Sequence, residues 1–266
     1  MTTRPLVGRL AAEAFGTAVL AAVLIGSGVR AAALSGDAGV GLVANVLPSV
    51  LALAVLLTVL GPVSGGHLNP LVSLAAWWTG RRRGGGGLPG RELPAYAAAQ
   101  LTGAVAGAAL ANAMYGRPLL EAAAQRRTGG ALWLSEAVAT GVLVLLVSAP
   151  VRDGRAGSVP LVAAGWVGAA CWATSSGGFA NPALTAARSL SDTYAGIAPG
   201  SVPGFVVAQT AGAVLGLASG GLLLRTPRAG QVARKDFARS RASSSASTSP
   251  GRLPLPRSTP PQRIPR

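Results

Sequence analysis

Gly65-Gly66-His67-Leu68-Asn69-Pro70-Leu71 and Gly177-Gly178-Phe179-Ala180-Asn181-Pro182-Ala183 are two copies of one pattern. In each, two glycines lead to an Asn-Pro pair at the end of a long apolar stretch. Proline is favoured at the first position of a helix, where no donor is needed. Asparagine is a favoured cap just before it. Each copy therefore reads as a helix that starts inside apolar surroundings. Two such starts in a membrane chain predict two half-helices meeting head to head, which makes a pore or a central binding site.

The membrane reading follows from composition. Half of the 266 residues are hydrophobic, 12% are charged and the mean hydropathy is +0.47. That excludes a soluble domain with a single core. A spanning helix needs ~20 apolar residues. Six segments qualify, at roughly Leu10–Val29, Leu42–Leu60, Leu93–Tyr115, Leu132–Val151, Val159–Ser175 and Val202–Leu224. The first is rich in small residues and carries Glu13, so it reads as a retained span rather than a cleaved signal peptide.

The net charge of +15 suggests nucleic acid, but topology explains it better. With both termini inside, 18 of the Lys and Arg residues fall on the inner side against 5 outside. This is the positive-inside bias, and it predicts a cytoplasmic-membrane protein with both ends in the cytoplasm and no nucleic-acid partner. The lone Cys171 leaves no disulfide framework and no cysteine metal cluster, and nothing in the chain requires a cofactor.

Two charge-free runs, Ala38–Gly80 and Ala156–Ala187, are too long for one crossing. Each fits a full span, a turn and half a second crossing, predicting re-entrant half-helices over Asn69–Thr79 and Asn181–Leu190. Such backbone is tolerated only against protein or a water-filled cavity. The halves repeat: Glu13, Asn69 and Gln100 recur in order as Glu136, Asn181 and Gln209. Three spans per half require the second to be inverted, which puts the functional site near the midplane. We expect a channel domain over 1–224, with repeats at about 9–116 and 132–224. The Arg/Ser/Pro-rich 225–266 reads as a disordered cytoplasmic tail. Gly103/Gly107 and Gly212/Gly216 are Gly-x-x-x-Gly pairs that allow close helix contact.

These residues resemble the aquaporin family, also called major intrinsic proteins, from Arg9 to Leu224. The resemblance rests on the two Asn-Pro boxes, Glu13 and Glu136 in the first and fourth spans, and Gln100 and Gln209 in the third and sixth. It implies an all-α membrane fold of six helices and two half-helices around one pore, assembled as a homotetramer. The first box departs from the family's Asn-Pro-Ala at Leu71. The resemblance also implies that Glu13 and Glu136 hold the re-entrant loops through backbone amides.

The half-helix N-termini carry about half a positive charge each and would oppose cations at the pore centre. Asn69 and Asn181 would donate to a passing hydroxyl or water. The carbonyls of Gly65, Gly66, His67, Gly177, Gly178 and Phe179 would accept from it. The family's outer constriction, carried over by spacing from each Asn, falls on Ser49, Ala169, Gly178 and Leu184. Most relatives have Arg at the last position; here all four are small or apolar, predicting a wider and less polar constriction. Thr185 stands where many glycerol channels have Asp. The stretch Asn181–Arg188 with Ser191–Ile197 looks most like a bacterial branch linked to arsenic resistance. That implies small neutral solutes as permeants: glycerol-like polyols and undissociated or methylated arsenic acids, with water.

Arg188 falls one turn beyond Leu184, either lining an outer vestibule or paired with Asp192 at the interface. His67 is a pH gate or a neutral residue whose carbonyl lines the pore. Cys171, two residues after Ala169, is expected to face away from it. Trp77, Trp78, Trp133, Trp166 and Trp172 read as lipid-facing or interfacial anchors. The alternatives are a water-selective channel and, from another class, an ion-coupled transporter or an intramembrane enzyme. Glu13, Glu136 and His67 each have a structural explanation, so neither coupling nor catalysis finds its groups.

Overall fold

The computed structural model describes residues 4–82 and 87–223, with the side chain of Arg152 outside that description. The expected tail over 225–266 lies outside the described residues. Among those residues the regular structure is helical. In chain order the α-helices are α1 (Leu6–Leu34), α2 (Ala38–Ser64), α3 (Pro70–Arg82), α4 (Leu93–Met114), α5 (Gly130–Arg152), α6 (Val159–Ala173), α7 (Pro182–Arg188) and α8 (Val202–Leu223). All but α3 and α7 are long and apolar enough to cross a membrane, α6 together with the 3-10 turn Ala156–Ser158 that leads into it. The 29 residues of α1 would reach about 43 Å, so it has length to spare for tilting across a ~30 Å core.

Local chemistry sets the ends of these elements. Asp37 caps α2 by accepting the Val40 N–H at 2.8 Å, and Gly65 ends it with φ of +100°. The half-helices α3 and α7 begin at the prolines, one residue after the predicted starts. The asparagines are caps rather than first-turn residues: Asn181 Oδ1 accepts from Ala183 and Leu184 at 3.0 and 3.3 Å, and Asn69 Oδ1 from Leu71 at 2.9 Å. α7 stops at Arg188, short of the expected Leu190, while α3 continues to Arg82.

α1 packs on α2 and α4, α5 packs on α6 and α8, and α2 meets α6 between the halves. The glycine pairs explain the first contacts. A Cβ at Gly103 or Gly107 would lie 2.1 Å from the carbonyl oxygen of Ala14 or Ala18 on α1. One at Gly212 or Gly216 would meet the carbonyl of Ala137 or Gly141 on α5 at the same 2.1 Å. Backbone lies on backbone there, and no rotamer relieves the clash.

One tryptophan departs from the sequence reading. Trp133 and Trp172 are exposed as expected, but Trp166 turns inward, packs on the core and donates to the Ala139 carbonyl at 2.8 Å. The indole N–H finds an acceptor on α5, which lipid would not supply.

We predict that Gly107→Leu prevents stable folding, since overpacking already costs ~1–3 kcal/mol where side chains can shift. Gly165→Leu, where a Cβ meets nothing within 4 Å, should be tolerated. Thermal unfolding of the two variants in detergent checks the contrast.

Candidate functional site

Two loops of extended and left-handed backbone, 65–69 and 177–181, meet in the interior and are held by two fully buried carboxylates. Glu13 Oε1 accepts from the His67 N–H at 2.9 Å and the Ser64 hydroxyl at 2.6 Å. Its Oε2 accepts from the Leu68 N–H and Gln100 Nε2, both at 2.7 Å. Glu136 repeats this in the other half: Oε1 takes the Phe179 N–H at 2.9 Å, and Oε2 takes the Ala180 N–H at 2.9 Å and Gln209 Nε2 at 2.7 Å. Each glutamine amide also donates into the start of a half-helix, Gln100 to Ser73 Oγ at 3.0 Å and Gln209 to Thr185 Oγ1 at 2.9 Å.

The loops also hold each other. Asn69 Nδ2 donates to the Ala180 carbonyl and Asn181 Nδ2 to the Leu68 carbonyl, both at 2.8 Å. An amide nitrogen has two hydrogens, so each Asn keeps one for another acceptor. Leu68 and Ala180 both sit at φ of +49°, which turns their carbonyls across the interface. Side chains other than glycine rarely adopt that region. Gly65, Gly66, Gly177 and Gly178 also have positive φ, between +56° and +100°. Among the described residues, no protein group donates to the carbonyls of Gly65, Gly66, His67, Gly177, Gly178 or Phe179.

A cavity of about 1070 Å³ runs past these loops, lined by both loops, both asparagines and residues of α1, α2, α5 and α6. Its length can be read along α1. Arg9 lines one end, Gly16 packs on Leu68 at the loops, and Gly28 packs on Ala195, whose carbonyl accepts from Arg188 at the other end. Arg9 to Gly28 is about 28 Å of helix. Besides the free carbonyls, the lining includes the apolar side chains Leu20, Leu57, Leu143, Val167 and Leu184.

Most of the residues singled out from sequence line this cavity: Asn69, Asn181, Ser49, Gly178, Leu184, Gly65, Gly66, His67, Gly177, Phe179 and Arg188. Ser49 turns its hydroxyl back onto the Asn45 carbonyl at 2.8 Å. Ala169 is a correction. It is exposed and lies off the cavity, whereas Pro160, Ala163, Val167 and Cys171 line it at helical spacing. Spacing from Asn181 misjudges this face because the rotation of α6 is set by its own packing and by the length of the loop after it. Cys171 therefore lines the cavity, contrary to expectation. Pro70, Leu71, Pro182 and Ala183 build the helix starts and do not line it. The Leu71 side chain packs with Ala75, Val144 and Ala213, so the larger residue in the first box does not narrow the passage.

Arg188 stacks on Phe179, with its Cζ 3.2 Å from the ring centroid, and donates through Nε to the Ala195 carbonyl. Asp192 is not its partner; the Asp192 carboxylate accepts the Ala124 N–H at 2.9 Å. Arg127, Tyr194 and Tyr96 also line the cavity, and the sequence reading did not single them out. Burial pushes the Arg127 guanidinium below its ordinary pKa, against an opposing pull from the charges of Tyr194 and Glu136. At the far end Arg9 pairs with Glu92 at 2.7 Å, and Tyr96 donates to the Ser64 carbonyl at 2.8 Å. No cluster of three or more His, Cys, Asp or Glu able to hold a metal occurs among the described residues.

Comparisons with known proteins agree with this geometry. The chain is 45% identical over 223 residues to the aquaglyceroporin AqpS of Rhizobium meliloti, covering 84% of this chain and 93% of that one. It is 36% identical over 121 residues to the glycerol uptake facilitator protein of Pseudomonas aeruginosa, covering 45% and 40%. Its fold matches the X-ray structure of the aquaglyceroporin from Plasmodium falciparum with a TM-score of 0.58 at 22% identity, over 80% of this chain and 95% of that one. The family model for major intrinsic proteins matches residues 1–175. A multi-pass helical fold, two capped half-helices meeting inside it and these matches establish that the chain belongs to the major intrinsic protein family, whose members are channels and not enzymes.

Proposed function

We propose that the chain is a passive channel for small neutral solutes: glycerol-like polyols, undissociated or methylated arsenic acids, and water. The observation that carries this is the amphipathic lining of the cavity, which combines free carbonyls with apolar side chains, among them Leu184 where most relatives have Arg. A polyol presents hydroxyls along one edge and carbon along the other. Its hydroxyls would donate to the Gly65–His67 and Gly177–Phe179 carbonyls and accept from Asn69 and Asn181. Its carbon edge would slide along the leucines and valines. Ser49, Gly178 and Leu184 serve as the constriction in this reading, with Cys171 taking the place first given to Ala169.

The half-helix starts at Pro70 and Pro182 oppose cations at the centre. Glu13 and Glu136 act as scaffold, because their oxygens are taken by loop amides and glutamines. This weighs against an ion-coupled transporter. The relatives named as an aquaglyceroporin and a glycerol uptake facilitator support a solute channel over a water-selective one. The arsenic acids rest on the branch resemblance in Asn181–Arg188 and Ser191–Ile197. We place the channel in the bacterial cytoplasmic membrane as a homotetramer, both termini inside, with Arg9 at the inner mouth and Arg188 at the outer.

Stopped-flow light scattering on proteoliposomes tests this. Glycerol and neutral trivalent arsenic acid should enter well above the rate of empty vesicles. Leu184→Arg should slow both by about tenfold, equivalent to ~1.4 kcal/mol of barrier. Rapid water movement with no solute uptake would favour the water-selective reading.

Cys171 supplies a second test. Because it lines the cavity, a small methanethiosulfonate should form a mixed disulfide there and reduce glycerol influx, reversibly with dithiothreitol. Cys171→Ala should be insensitive. Complete labelling with unchanged influx would place the thiol outside the passage.

A further inference from the structure

Two guanidiniums share one phenyl ring at the outer end of the cavity. Arg188 Cζ lies 3.2 Å and Arg127 Cζ 5.3 Å from the Phe179 centroid. Arg188 is held through Nε by the Ala195 carbonyl, and Arg127 through Nε by the next carbonyl, Gly196, at 3.0 Å. Arg127 Nη2 donates to Gln125 Oε1 at 2.9 Å. Both Nη atoms of Arg188 and Nη1 of Arg127 donate to nothing among the described residues, yet none is sealed inside protein. Both side chains line the cavity, so these donors face its interior.

No carboxylate of the described residues contacts the pair, and Glu136 acts on it only at a distance. Neither arginine takes part in an ion pair among the described residues. Asp192 is engaged by the Ala124 N–H, and Glu136 by the Phe179 and Ala180 amides and Gln209. Two fixed positive charges, anchored at Nε, lack acceptor oxygens at both Nη atoms of Arg188 and at Nη1 of Arg127. A guanidinium fork matches an oxyanion in two-point geometry, and such charge-assisted bonds are stronger than neutral ones. The Phe179 face stabilises the cations but offers no acceptor.

We propose that Arg127 and Arg188 form a binding station for small oxyanions at the outer mouth, and that a bound oxyanion blocks uptake of neutral solutes. This rests on the channel reading above. The block follows from what comes next inward. The Gly177, Gly178 and Phe179 carbonyls present acceptors, so an anion leaving the arginines would lose its hydration against acceptor oxygens before it reached the Asn69 and Asn181 donors. A neutral hydroxyl meets the same carbonyls as a donor and passes.

The test uses inorganic phosphate at equal concentration on both sides of full-chain proteoliposomes, with ionic strength held by chloride. Glycerol influx should fall saturably with phosphate. The half-blocking concentration should rise about tenfold in Arg127→Gln and in Arg188→Gln, each normalised to its own phosphate-free influx. Arg127→Lys, which keeps the charge but not the fork, should show a weaker block, and it keeps the test decisive if a glutamine variant does not insert. Phosphate should also raise the melting temperature of the parent protein more than that of either glutamine variant. Influx indifferent to phosphate, or blocked with unchanged affinity in both glutamine variants, would overturn the station. Absent glycerol influx in phosphate-free vesicles would instead contradict the channel reading.

Discussion

The structure depends on two carboxylates in a place where charge is expensive. Glu13 and Glu136 are fully buried, and between them they accept four loop amides, two glutamine amides and one serine hydroxyl. Hydrogen bonds to charged groups each contribute ~1.5–3 kcal/mol. Residues such as Leu68 and Ala180, held at positive φ, cost ~1–3 kcal/mol each. The network therefore outweighs the strain, and the loops keep a conformation they would not hold alone. That conformation leaves a row of carbonyls free and aims two asparagines at each other. The half-helices, the cavity wall and the passage all follow from it.

The two halves solve the same problem with different residues. His67 Nδ1 lies 3.0 Å from Ser73 Oγ beside Gln100, whereas Phe179 in the equivalent place meets Phe205 edge-on and carries the two arginines over its ring. α3 runs for 13 residues and α7 for 7. The short α7 brings Arg188 to its C-terminal end, where the dipole favours a cation. Leu184, one turn earlier, then leaves the wall apolar. Positive charge at this end is carried one turn beyond Leu184 and is shared with a loop residue, Arg127.

Much of this was legible in the sequence because it rests on strong local rules. Asn-Pro after paired glycines gives a capped helix start, and twenty-residue apolar runs give spans. Buried Glu and Gln at matching places in both halves give a shared scaffold. What was not legible depends on three-dimensional rotation and on loop paths. Ala169 and Cys171 differ by about 200° on α6, and spacing from Asn181 does not reveal how α6 is rotated against its neighbours. Leu68 and Ala180 carry no preference for positive φ; the carboxylates impose it. Arg127 lies far from Phe179 in sequence and reaches it only because the 117–127 segment folds back on the loop after α7, through bonds such as Glu121 N–H to the Leu190 carbonyl at 3.0 Å. Trp166 looked lipid-facing because periodicity does not reveal which neighbour supplies an acceptor.

The central claim is that a static, scaffolded passage conducts neutral solutes and excludes charge. The most direct measurement follows glycerol influx and proton leak together in one set of proteoliposomes, by light scattering and a trapped pH dye. The account predicts channel-mediated glycerol influx that is indifferent to an imposed proton gradient, with proton leak no greater than in empty vesicles. Glycerol movement that requires or responds to the proton gradient, or a protein-dependent proton leak, would contradict it.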